Sequence, residues 1–71
     1  MKQTFKLENL NCANCAAKIE AEIGGLAGVK TVSVNFVAQK LTLQAQDERF
    51  EDILAQSMKI ADRIEPGCRI K

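Results

Sequence analysis

What most limits the fold of this chain is the way the spacing of its apolar residues switches between two and three-to-four. Phe5 and Leu7 alternate with Thr4, Lys6 and Glu8, the pattern of a half-buried strand over Gln3 to Glu8. From Ala13 to Leu26 the apolar positions Ala16, Ile19, Ile23 and Leu26 recur at three and four, while Lys18, Glu20 and Glu22 fall elsewhere. That spacing predicts an amphipathic helix of about three turns, ended by Gly24, Gly25 and Gly28. Alternation returns in Val32, Val34 and Phe36, and again in Leu41, Leu43 and Ala45, so two further strands are expected with Val37 to Lys40 as the turn between them. Asp47 is suited to cap a second helix, with Glu48 and Glu51 near the positive end of its dipole. This helix is expected from Glu48 to Met58, burying Phe50, Ile53, Leu54 and Met58. A last short strand is expected between Ile60 and Ile70, interrupted by Pro66 and Gly67.

Strand, helix, strand, strand, helix, strand, joined by right-handed crossovers, gives one α+β architecture: a ferredoxin-like βαββαβ sandwich, a four-stranded antiparallel sheet with two helices on one face. The 71 residues are read as a single domain, 1–71, that can carry one site or one surface. Phe5, Phe36 and Phe50 should form its aromatic core. In this topology the loops after the first strand and before the fourth meet at one end of the sheet, so Lys59 to Asp62 should approach Cys12 and Cys15. Leu10 should pack beneath the cysteine loop, because a large apolar residue there would otherwise be exposed.

Several function classes are excluded. A net charge of +1 with no basic cluster along the chain argues against nucleic acid as a partner. No apolar run is long enough to span a bilayer and the N-terminus has no signal-peptide core, so no direct membrane insertion and a cytoplasmic location are expected. Neither a phosphate-cradling loop nor a phosphorylated-aspartate motif is present, so the domain alone should not be an enzyme.

The chemistry is concentrated in Cys12 and Cys15. Two thiols three residues apart at a helix entrance can chelate one soft ion or close a small disulfide ring. Cys15, in the first turn, is expected to be the more acidic thiol, with Cys12 on a flexible loop. Soft thiolates favour Cu(I), Zn(II) or Cd(II) over Mg(II) or Ca(II). A closed structural zinc site needs four Cys or His ligands, and the chain has three cysteines and no histidine. Cys68 is expected late in the fourth strand, on the order of 20 Å from the pair, as a packed strand residue. The redox alternative, a small thiol-redox protein, lacks the aromatic residues and the nearby proline of thioredoxin-type sites.

The segment Asn9-Leu10-Asn11-Cys12-Ala13-Asn14-Cys15-Ala16-Ala17-Lys18-Ile19-Glu20 resembles the metal-binding loop and first helix of heavy-metal-associated domains. The resemblance continues through Gly28-Val29 and Val32-Ser33-Val34-Asn35-Phe36. It implies a domain found at the cytosolic N-termini of soft-metal P-type ATPases or as a free metallochaperone, with Cys12 and Cys15 as the ligands. Leu10 stands where copper-binding members have Met, and Asn11 where they often have Thr or Ser, so the wording resembles the cadmium and zinc branch more closely. The implied cargo is one soft metal ion, Zn(II) or Cd(II) ahead of Cu(I). A divalent ion would call for an oxygen donor from Asn11, Asp62 or a water, and Lys59 would balance the thiolate charge. The implied partners are other domains of the parent ATPase or a metallochaperone.

Overall fold

The computed structural model describes Met1–Lys71 throughout. Its elements are β1 (Lys2–Glu8), α1 (Ala13–Gly24), β2 (Val29–Asn35), β3 (Lys40–Ala45), a 3-10 turn (Asp47–Arg49), α2 (Phe50–Ile64) and β4 (Arg69–Ile70). The four strands form one antiparallel sheet in the order β2-β3-β1-β4. Both helices cover one face of it, α1 against β2 and α2, and α2 also against β4. The expected ferredoxin-like sandwich is therefore the fold.

Strand alternation drives the layering. Leu7, Leu41, Leu43, Ala45 and Ile70 are buried on the inner face, where they meet Ile19 and Ile23 of α1 and Phe50 and Ile53 of α2. Phe5 packs its ring on Phe50 with centroids 6.2 Å apart, and Phe36 packs half-buried at the edge of the core. The open edge at β2 is blunted from within the fold, because Glu20 of α1 accepts the Val34 N–H at 2.8 Å. Arg63 of α2 pairs with Glu22 of α1 across the helix layer.

Gly28 is the tightest point of the chain. Its φ is +93, and a Cβ there would lie 3.1 Å from Ile53 Cδ1 and 3.3 Å from the Arg49 side chain. Gly28→Ala should therefore lower stability by roughly 1–3 kcal/mol, through left-handed strain together with steric pressure on α2. Thermal denaturation followed by circular dichroism checks it.

The second half departs from the expectation. Helix α2 runs to Ile64 rather than ending near Met58, so Lys59 to Asp62 are helical and not a loop. Its buried stripe of Phe50, Ile53, Ser57 and Ala61 keeps helical spacing, and the break comes only where Pro66 forces Glu65 into an extended conformation, φ −127 and ψ 95. Met58 falls off this stripe and is 42% exposed; Ser57 takes the buried position, its hydroxyl donating to the Ile53 carbonyl at 2.8 Å. Asp47 caps nothing and instead pairs with the Met1 amine at 2.8 Å.

Because the helix ends late, β4 starts late. Arg69 pairs with Glu8 at the end of β1 that leads into the cysteine loop. Cys68, one residue earlier, therefore lies at the same end of the sheet as that loop, not at the far end.

Candidate metal centre

Cys12 is the N-cap of α1. Its backbone is extended, φ −133 and ψ 121, its carbonyl accepts the Ala16 N–H at 3.0 Å, and its Sγ accepts the Cys15 N–H at 3.3 Å. Sulfur here does what a serine or aspartate oxygen does at other helix starts: it satisfies an orphan donor at the positive end of the dipole.

That placement reverses the expected order of the two thiols. The Cys12 thiol is held below its ordinary value, foremost by a hydrogen bond from the Cys15 thiol and then by the Cys15 and Asn14 backbone N–H groups, with burial and Glu65 opposing. Cys15 is pushed from 9.0 up to about 11, first by the hydrogen bond it shares with Cys12, then by desolvation and by the negative charges of Cys12 and Glu65. The helix end acts on the cap sulfur more than on the residue one turn in. Of the two, Cys12 is the thiol that ionises first and Cys15 the one that holds its proton, which a soft cation must displace to bind both sulfurs.

Three segments hold the loop in place. Leu10 is buried beneath it, 2% exposed, and its carbonyl accepts from Gln39 Nε2 at 2.8 Å. Gln39 also binds the Phe36 carbonyl at 2.8 Å, so one side chain ties the β2–β3 turn to the loop. Both Asn9 (φ 63) and Gln39 (φ 54) adopt the left-handed region, rare for non-glycine residues, and both spend their side chains on this junction. On the other side, Asn9 Nδ2 donates to the Gly67 carbonyl at 3.2 Å, and the Asn11 N–H donates to Glu65 Oε1 at 3.2 Å.

The remaining candidates take other places. Asp62 accepts the Gly67 N–H at 3.0 Å, bracing the α2–β4 loop. Asn11 is exposed and offers its backbone to Glu65. Asp62 forms no cluster with the two thiols, for the chain gathers no set of three or more His, Cys, Asp and Glu able to hold a metal ion. Lys59 is exposed on α2, whereas the cation whose field lowers the Cys15 thiol is Lys18, three residues along α1. Cys68 is buried, its thiol raised by desolvation and by Glu65 and Asp62, and it lines a groove of about 350 Å³ with Met58 and Asp62. Glu65 is the acid missed by sequence reasoning. Its charge reaches all three cysteines, and the only signal for it was its position before Pro66.

The chain is similar to known proteins in sequence and in fold. The heavy-metal-associated domain profile matches residues 4–66. The chain belongs to that family. Over its whole length it is 32% identical to the cadmium, zinc and cobalt-transporting ATPase of Bacillus subtilis, and it spans 10% of that protein. It is 31% identical over 64 residues to the copper chaperone CopZ of Enterococcus hirae, covering 90% of this chain and 86% of CopZ. Among solved structures, the N-terminal domain of the copper(I) ATPase PacS in its apo form superposes with a TM-score of 0.78 at 27% identity, covering 100% of this chain and 90% of that one. A heavy-metal-associated domain binds metal and is not itself catalytic, and this one carries the cysteine pair. No helix in it is long and apolar enough to cross a membrane.

Proposed function

We propose that residues 1–71 bind one soft metal ion between Cys12 and Cys15 and pass it on by ligand exchange, as the cytoplasmic N-terminal domain of a longer, membrane-tethered Zn(II)- or Cd(II)-exporting P-type ATPase. The observation that carries this is the capped pair: one sulfur seated as the helix cap and the more readily ionised, the other a neighbouring thiol, both half-buried. Transfer would run through an intermediate in which cysteines of two partners share the ion, so no bare ion is released. The metal preference draws on Leu10 and Asn11 and on the similarity to the cadmium, zinc and cobalt-transporting ATPase of Bacillus subtilis. The ATPase chemistry would belong to the rest of such a protein, since this chain spans about a tenth of that relative. A free metallochaperone is the second possibility, favoured by the near-complete coverage of CopZ.

A divalent ion would take an oxygen donor as well. Asn11, Asp62 and a water are candidates, and Glu65 joins them because its carboxylate already holds the Asn11 N–H. With Glu65 as donor, Glu65→Gln should weaken Zn(II) and Cd(II) binding about tenfold while leaving Cu(I) within about twofold. Asp62→Ala in parallel tests the other carboxylate. Competitive titration reads both, and equal losses for Zn(II) and Cu(I) would remove that residue as a divalent ligand.

A further inference from the structure

The face of the sheet turned away from the helices concentrates positive charge that no stretch of the sequence announces. Lys6 of β1 lies directly opposite Lys40 of β3, and on its other side it exchanges both backbone hydrogen bonds with Lys71, at 3.1 and 2.8 Å. Three lysines thus stand abreast in cross-strand positions where like charges repel. Alternation puts Lys2, Glu8 and Arg69 on the same face, since Phe5, Leu7 and Ile70 between them pack on the core. Lys30 joins them, since Val29 and Val32 on either side of the β2 bulge pack on the core and leave Lys30 and Thr31 outward. Six of the chain's ten cations therefore share this face with one of its nine acids, Glu8, which Lys71 Nζ already engages at 3.3 Å. The surplus of five on a chain of net charge +1 leaves the remaining surface, helices included, net acidic. Lys6 and Lys40 are exposed and neither has an ion-pair partner.

The rest of the face decides the class of partner. Between the lysines run hydroxyls and amides, with Thr4 and Thr42 joined Oγ1 to Oγ1 at 3.1 Å and Thr31 donating to Gln44. No aromatic or aliphatic side chain is presented there. Protein interfaces draw their affinity from buried aromatic and arginine anchors and are depleted in lysine. Single-stranded nucleic acid on a sheet needs aromatic rings to stack its bases. A flat field of lysines and hydroxyls suits a diffuse array of anionic headgroups, where each cation contributes without a pocket. The geometry points to the open sheet face as a docking surface for an anionic lipid bilayer, with Lys2, Lys6 and Lys40 as its central contacts. This does not rest on metal binding, since the cysteine loop sits at the end of the sheet and not on this face.

The test is co-sedimentation of reduced, metal-free protein with vesicles of phosphatidylcholine alone and of phosphatidylcholine mixed with phosphatidylglycerol, at ionic strengths of about 0.05 M and about 0.3 M. Binding is expected to the anionic vesicles only and to weaken at the higher salt. The double variant Lys6→Gln/Lys40→Gln should lower partitioning about tenfold or more, whereas Lys18→Gln/Lys59→Gln, the same charge loss on the two helices, should change it about twofold or less. Circular dichroism verifies that both variants are folded. Equal binding to neutral vesicles, equal losses in the two variants, or no binding at low salt would overturn the inference. So would a single-stranded RNA oligomer that binds where anionic vesicles do not. The Cys12→Ser/Cys15→Ser variant should partition like the parent, which keeps this result separate from the fate of the metal site.

Discussion

Lowering the pH from about 8 to about 6 is expected to weaken metal binding at the thiol pair by about a hundredfold or more. The sign follows from which form binds. The ion needs both sulfurs deprotonated, and Cys15, pushed up to about 11, is protonated throughout this range. At least one proton leaves on binding, so affinity falls by about a factor of ten for each pH unit lost. Below the depressed pKa of Cys12 a second proton must leave and the dependence steepens towards two powers of ten per unit. Above about 11 it flattens, since both sulfurs are already thiolates. Isothermal titration in buffers of different ionisation enthalpy counts the protons directly. A proton count of zero near neutral pH would contradict a Cys15 thiol raised to about 11. The apo protein carries a matching signature in its thiolate absorbance: Cys12→Ser should bring the Cys15 titration back down towards 9.0, because its largest upward cause is gone.

Leu10→Ala should cost about 2–5 kcal/mol and lower the melting temperature by roughly 10 °C or more. Leu10 is 2% exposed, so its removal leaves a cavity in a domain whose whole stability is of order 5–15 kcal/mol. The damage is local as well as global. The Leu10 carbonyl is held by Gln39, and its neighbours are the left-handed Asn9 and the Asn11 N–H bound to Glu65, so every tether of the cysteine loop converges on this residue. Weaker metal binding should accompany the lower melting temperature. Val37→Ala is the control: Val37 is 92% exposed at the tip of the β2–β3 turn, and its loss should change stability by about 0.5 kcal/mol or less. Comparable effects at the two positions would mean that the loop is not seated on Leu10.

The first half of the chain was legible because its local signals agree. Between Phe5 and Ala45 the apolar spacing, the glycines after α1 and the alternation in β2 and β3 all point to the elements observed, and Leu10 is buried as its size required. The second half was not, because Ser57 and Ala61 occupy buried helical positions that a search for large apolar residues passes over. That shortened α2, turned its last turns into an imagined loop, and sent Cys68 to the wrong end of the sheet. The pair Cys12 and Cys15 stood out from spacing alone, but their relative acidity did not. The helix starts at Ala13 as expected; the order of acidity depends instead on which sulfur accepts an orphan backbone N–H there, and the contact from the Cys15 N–H to Cys12 Sγ is not encoded in spacing. Gln39 and Glu65 were out of reach for another reason: each meets the loop across a long stretch of chain, at a turn whose geometry no local pattern encodes.

The measurement that bears most directly on the central claim is a competitive titration of reduced protein with Zn(II), Cd(II) and Cu(I), alongside Cys12→Ser and Cys15→Ser. Tight one-to-one binding that is lost in both variants is the expected result, with Zn(II) or Cd(II) retained against competitors better than Cu(I). Binding that survives in either serine variant, or none in the parent, would contradict a soft-metal site built on these two sulfurs.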